Sequence, residues 1–273
     1  MSNENKLTIV VTGGTDGIGL KLVEKLLLNG HNVITFGLPT KHTEYLAELK
    51  NNYKNLFSLS YEIDFKKQGA AVDAFNFISQ ITKTVDVLVN NVGAAKYKTF
   101  SDMTALEIEE LINVNFFNSV LMTKMLLPLM IRESRVAKII NIASIAAELP
   151  IFPNMVYMSC KYAMRAWTQA MQVELSRFKV DCILVLPGRV DTGFFDDESF
   201  KKNSNRTGKE NPISTDFVAT EILKAISKTQ SKIYLPKKYK FISMINRYFP
   251  FVEHIIINMK MKKRIEEYYK IQR

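Results

Sequence analysis

Apolar positions follow two periods along this chain. Residues 7–11 (LTIVV), 85–89 (VDVLV), 137–143 (AKIINIA) and 180–186 (VDCILVL) are short, nearly continuous, β-rich runs. Such runs predict strands buried on both faces. Further strands are predicted at 31–36, 56–63 and 232–235. Between the strands, apolar residues recur three and four apart, the helical spacing, at 20–28, 43–51, 69–83, 106–130, 154–177 and 217–228. Asn29 and Gly30 close the first helix, and Pro153 marks the start of the one at 154. In 69–83 the inward face is predicted as Val72, Phe75, Ile78 and Ile81, and the long helix from 106 is expected to end near Pro128. Strands alternating with helices of this length predict an α/β fold: a parallel sheet with helices on both faces, in three layers. The expected organisation is one domain over 1–235, with a basic helical extension over 236–273.

Charge changes the picture at one place only. The net charge is +10, but 236–273 holds ten Lys and Arg against three Asp and Glu, so the other residues carry only +3. A nearly neutral body argues against a nucleic-acid surface and points to something local in the extension. Cys160 and Cys182 offer no disulfide framework and no metal spacing, and His31, His42 and His254 are scattered, so no metal site is expected. The polar stretch 1–6 has no apolar core of a signal peptide, and no apolar run approaches the roughly 18 residues of a membrane span. The expected setting is cytoplasmic, with a peripheral membrane contact as an alternative.

Chemistry enters at the strand ends. The first strand runs into a glycine turn with Gly13, Gly17 and Gly19, and a helix follows at once. Glycines there let backbone approach a pyrophosphate, and the helix N-terminus offers free N–H groups. Dinucleotide sites often hold a ribose through an acid about 20 residues on. The window 35–42 has none, but it does contain Lys41 and His42. That favours NADP(H), with NAD(H) as the alternative. Asp16 is either an opposing charge or a cap for the turn N–H groups. Farther on, Tyr157 and Lys161 are four apart on a helix, one turn from each other. An ammonium beside a phenol is expected to lower its pKa toward neutrality.

In order, the glycine turn, Asp64, the stretch 90–93 (NNVG), Asn115, Ser144, the Tyr157/Lys161 pair and the stretch 187–192 (PGRVDT) resemble the short-chain dehydrogenase/reductase family. The resemblance implies a Rossmann-type doubly wound sheet and hydride transfer between a nicotinamide cofactor and a carbonyl or alcohol. Tyr157 would be the general acid or base, Lys161 would grip the nicotinamide ribose and tune Tyr157, and Ser144 would polarise the substrate oxygen. Asn115 would support a proton relay through water. Cofactor contacts would come from Gly13, Thr15, Asp16, Gly17, Ile18, Gly19, Asp64, Asn91, Gly93, Tyr157, Lys161, Pro187, Gly188, Val190 and Thr192. A purely local role stays open for Ser144 as a cap and for Asn115 as a helix-bending polar residue. Val92 stands where the family usually has alanine. A homodimer or homotetramer is the family's habit.

The loop 192–215 holds Phe194, Phe195 and Phe200, which either cover a substrate or merely pack within a surface loop, and Leu149, Ile151 and Phe152 add apolar character. An apolar ketone is therefore the expected substrate. In 236–273, basic and aromatic residues surround short apolar segments, as in an interfacial membrane helix. The reading favoured for this segment is a helical cap over the crevice or a subunit contact with a solvated basic face, and membrane contact is the alternative. A non-catalytic nucleotide sensor on the same fold is the rival to an enzyme, and the full Ser144, Tyr157 and Lys161 set argues against it.

Overall fold

In a computed structural model of the chain, which describes residues 6–133, 135–149, 151–195, 198–201, 211–248, 262, 265 and 266, the apolar runs become seven strands. They are β1 (Thr8–Thr12), β2 (Asn32–Phe36), β3 (Phe57–Ser60), β4 (Val87–Asn90), β5 (Ala137–Ile142), β6 (Val180–Pro187) and β7 (Lys232–Leu235). All neighbours pair in parallel, in the order β3-β2-β1-β4-β5-β6-β7. The helices are α1 (Gly17–Leu28), α2 (Thr43–Asn52), α3 (Ala70–Ile81), α4 (Ala105–Ile112), α5 (Asn118–Met130), α6 (Met155–Glu174), the short α7 (Glu198–Lys201), α8 (Thr215–Ser227) and α9 (Lys238–Tyr248). This is the Rossmann-type doubly wound sheet. Its strand order reverses between β1 and β4, which opens a crevice beyond the carboxyl ends of the strands.

Period-two alternation explains why the strands read as unbroken apolar runs. Ile9, Val11, Val87 and Val89 point into one core, under α1 and α8, while Val10, Ile34, Leu88 and Ile139 point into the other, under α3 and α5. Polar links cross the second layer. Asn90 donates to the Asn141 side chain at 2.8 Å and to Thr123 at 3.1 Å, and Asn141 donates to Thr168 at 2.9 Å. These bonds tie α5 and α6 to the two strands whose ends carry the site.

Three expectations change. Helix α3 turns Ala70, Ala71, Ala74 and Ile78 inward, while Val72 and Ile81 are exposed. Small residues allow the helix to lie close to its neighbours, so alanines and not the larger side chains mark the buried stripe. The stretch expected as one helix from 106 is divided by a π-helical turn, Asn113–Phe117, and α5 runs through Pro128 to Met130. A π-turn inserts an extra residue into the ladder and re-aims the next helical segment, often at a functional site. Strand β3 stops at Ser60, three residues short of the expected 63. The loop residues 202–210 and most of 249–273 lie outside the described residues.

Candidate active site

The crevice is a cleft of about 940 Å³ across the carboxyl ends of the sheet. One end is the glycine turn between β1 and α1. Gly17 has φ +56°, a left-handed conformation that L side chains rarely adopt. A Cβ on Gly19 would lie 2.1 Å from the Gly13 carbonyl oxygen. The turn is therefore a cradle of bare backbone, capped by Asp16, which accepts from the Gly17 N–H at 2.6 Å. His42 Nε2 stands 3.4 Å from the same carboxylate. Thr15, Leu38 and Thr40 line the wall beside β2, and Lys41 is exposed without lining it.

Asn91 locks the next turn. Its amide donates to the carbonyls of Thr12 at 2.9 Å and Gly13 at 3.1 Å, while Thr12 Oγ1 accepts from the Asn91 and Val92 N–H groups. The ends of β1 and β4 are thereby held at fixed separation. Asp64 lines the cleft and accepts from Lys66 N–H at 3.0 Å. Gly93 also lines the cleft, close to Lys161 Nζ.

At the other end, three predicted side chains meet. Ser144 follows β5 and caps the turn Ile145–Ala147, accepting from Ala146 N–H at 3.1 Å. It is also hydrogen-bonded to the Tyr157 hydroxyl. Tyr157 and Lys161 share the buried face of α6. Lys161 Nζ lies 5.5 Å from the Tyr157 ring centre and donates to the Ile142 carbonyl at 3.2 Å.

The electrostatics differ from the expectation. Burial pushes the Tyr157 phenol up to about 12, partly offset by the Ser144 hydrogen bond. Burial also pulls the Lys161 ammonium down to about 8. Desolvation penalises both charged forms. The Lys161 ammonium is turned to a backbone carbonyl, so in this arrangement it does not bring Tyr157 toward neutrality.

Asn115 is brought near but not into the cleft. It is fully buried in the π-turn, and its amide donates to the carbonyls of Ala94 at 2.8 Å and Leu111 at 2.9 Å and accepts from Ala94 N–H at 3.2 Å. The side chain clamps the turn after β4. Gly19 likewise stands behind the cradle, against the Gly13 carbonyl.

Pro187 at the end of β6 lines the cleft, followed by Gly188, Val190 and Thr192. Val190 and Ile213 pair as an isolated bridge that closes the base of the following loop. Inside that loop Phe194 meets Tyr157 edge to face at 5.5 Å, and Phe200 meets Tyr97 at 5.6 Å. Leu149, Ile151 and Phe152 line the same region. The Phe195 side chain lies outside the described residues.

Two side chains that no motif marks also shape the site. Tyr239 of α9 is buried, packs over Gly188 and lines the cleft, although it belongs to the segment expected as an extension. Glu148, four residues past Ser144, is a buried carboxylate. It accepts from Lys232 at 2.8 Å, from Tyr234 at 3.0 Å and from Ser243, and Arg165 stands 3.5 Å away. Its partners come from α6, β7 and α9, so it pins the Ser144 turn to three elements. The one signal for Tyr239 is its place four residues past β7; nothing local marks Glu148.

The chain matches the short chain dehydrogenase family over residues 7–203. It is 29% identical over 230 residues to a 3-ketodihydrosphingosine reductase of Bacteroides thetaiotaomicron, covering 84% of this chain and 79% of that protein. It is 30% identical over 183 residues to a 3-oxoacyl-[acyl-carrier-protein] reductase of Aquifex aeolicus, covering 67% and 73%. Among solved structures, a short-chain dehydrogenase/reductase from Burkholderia phymatum in complex with NAD superposes with TM-score 0.81 at 18% identity, over 93% of this chain and 97% of that one. Another, from Sphingobium yanoikuyae in complex with NADPH, gives 0.76 at 19%, over 90% and 95%.

Proposed function

The chain belongs to the short-chain dehydrogenase/reductase family of oxidoreductases, and from that premise we propose that it reduces an apolar ketone with NADPH. The observation that carries the reading is the convergence of Ser144, Tyr157 and Lys161 with a bare glycine cradle in one cleft. The cradle fits a dinucleotide: Gly13, Thr15, Asp16, Gly17 and Ile18 would hold the pyrophosphate at the N-terminus of α1. Asp64, Asn91 and Gly93 would face the adenosine half, and Pro187, Gly188, Val190 and Thr192 the nicotinamide half. When bound, the nicotinamide supplies a hydride for the ketone carbon.

The rest falls to this chain's side chains. Ser144 would donate a hydrogen bond to the ketone oxygen as negative charge develops there. Tyr157 would give that oxygen its proton. A phenol held at about 12 is fully protonated at neutral pH. An alkoxide is a far stronger base, so the proton moves downhill in the direction of reduction. Oxidation would require the phenol to lose its proton first, against the same burial. Lys161 would bind the ribose beside Tyr157, and Asn115 would hold the turn after β4 in place.

Cofactor choice rests on the end of β2. No acid faces the cleft at Gly37, Leu38 or Thr40, and Asp16 is engaged by Gly17 and His42. That leaves room for a 2′-phosphate, with NADH as the alternative. The names of two relatives, both reductases of keto compounds, support a ketone substrate, and Phe194, Phe200, Ile151 and Phe152 support an apolar one. Exposed Ile112 at the end of α4, Phe117 in the π-turn and Val173 on α6 support self-association through these helices, which light scattering would test.

The direct experiment follows NADPH oxidation with ketones of increasing alkyl chain length. Turnover should rise with chain length, and NADPH should bind more tightly than NADH. Equal rates for short and long ketones would remove the apolar-substrate reading, and tighter NADH would reverse the cofactor assignment.

A further inference from the structure

Helix α9 has two faces of opposite character. Its inner face places Tyr239 in the cleft and the Ser243 hydroxyl against Glu148. Its outer face carries Phe241, Met244 and Tyr248, which are 67%, 48% and 68% exposed. These residues are three and then four apart, so they form one stripe along the helix. Lys237, Lys238 and Lys240 are exposed around its first turn, and no Asp or Glu occurs between Pro236 and Tyr248.

We propose that this outer face of α9 docks on a lipid surface carrying anionic headgroups. Aromatic rings and a methionine in one stripe suit the boundary between headgroups and acyl chains, and flanking lysines suit anionic phosphates. Charge selects this occupant over a second copy of the chain. A two-fold self-contact through the stripe would bring lysines toward lysines with no acid of α9 between them. The sequence after α9, 249–273, holds six Lys and Arg against three Glu and adds +3 to the same charge. Because the inner face of the helix lines the cleft, docking holds the cleft within about one helix diameter, roughly 10 Å, of the lipid. An apolar ketone dissolved in the bilayer then has a short path to Tyr157. That last consequence rests on the proposed function; the docking itself does not.

The test is co-sedimentation of the full chain with vesicles of phosphatidylcholine alone or mixed with phosphatidylglycerol. The expected result is binding to the mixed vesicles at low salt, weakened by added salt. Replacing Phe241 and Tyr248 together by Ser should weaken it by on the order of tenfold or more. Each Lys→Gln change at 237, 238 or 240 should weaken it about fivefold. These side chains are exposed and outside the cleft, so circular dichroism and turnover of a water-soluble ketone should be unchanged. Absence of sedimentation with anionic vesicles would overturn the proposal, as would equal sedimentation of wild type and the Phe241/Tyr248 variant. A concentration-dependent oligomer broken by that variant, without vesicle binding, would make the face a self-contact instead. Sedimentation needs no turnover, so failure here is separate from failure of the reductase reading.

Discussion

Replacing Lys161 by Met should make the protein more stable and inactive. The wild-type lysine is 4% exposed, and its ammonium donates to the Ile142 carbonyl at 3.2 Å. Its pKa is pulled to about 8 from the ordinary 10.5. A folded-state pKa lowered by that much corresponds to about 3 kcal/mol of destabilisation wherever the lysine is charged in both states, which means below pH 8. As pH rises from 8 toward 10.5, the folded lysine is neutral while the unfolded one still holds its proton. The penalty therefore shrinks across that window and is gone above it. Methionine is unbranched and apolar and fills similar space. It removes the penalty but leaves the Ile142 carbonyl without this donor, at a cost of about 1 kcal/mol. The net expectation at pH 7 is a gain of about 2 kcal/mol in urea unfolding. At pH 9.5 the advantage over wild type should fall by about 2 kcal/mol, because wild type has by then shed most of its own penalty. NADPH-dependent turnover should be lost at both pH values. A variant destabilised by several kcal/mol at pH 7, with no change in that difference up to pH 9.5, would refute the reasoning. Lys161 would then be a satisfied structural cation and not a desolvated one held for function.

Three further outcomes are expected from the same geometry. Ser144→Ala should lower kcat/KM for ketone reduction by on the order of a hundredfold, and a UV phenolate titration should show Tyr157 moving higher still, since the Ser144 bond is what lowers it. Glu148→Ala should cost about 1–3 kcal/mol in thermal or urea unfolding, because the Tyr234 and Ser243 hydroxyls lose their buried acceptor; no measurable loss would show that the cluster is not holding the Ser144 turn. Gly19→Ala places a Cβ 2.1 Å from the Gly13 carbonyl, so the cradle must open and NADPH binding, followed by cofactor fluorescence, should drop sharply.

Much of this is legible in the sequence because the motifs sit at strand ends, and the continuous apolar runs locate the carboxyl ends of β1, β4, β5 and β6 to within a residue. Gly13, Asn91, Ser144 and Pro187 each follow a predicted strand, and all four line the cleft. The features that differ depend on distances between elements. The inward face of α3 is built from alanines because of close packing, and a hydropathy pattern weights the larger Val72 and Ile81 instead. The π-turn at Asn113–Phe117 is a single turn, too short for its changed spacing to stand out in the apolar pattern. Asn115 lies near the site, but its amide binds backbone behind the cleft. The Tyr157 shift runs opposite to its expected direction because spacing shows a neighbouring charge and hides burial. Tyr239 and Glu148 join elements far apart in the chain, and only the fold brings them together.

Proton donation by Tyr157 is tested most directly by a single turnover. Enzyme loaded with NADPH is mixed with a long-chain ketone, and loss of the reduced nicotinamide is followed for wild type and Tyr157→Phe. The expected result is a fall in the transfer rate of on the order of a hundredfold to ten-thousandfold, with the NADPH dissociation constant essentially unchanged. Transfer at the wild-type rate by the phenylalanine variant would contradict it.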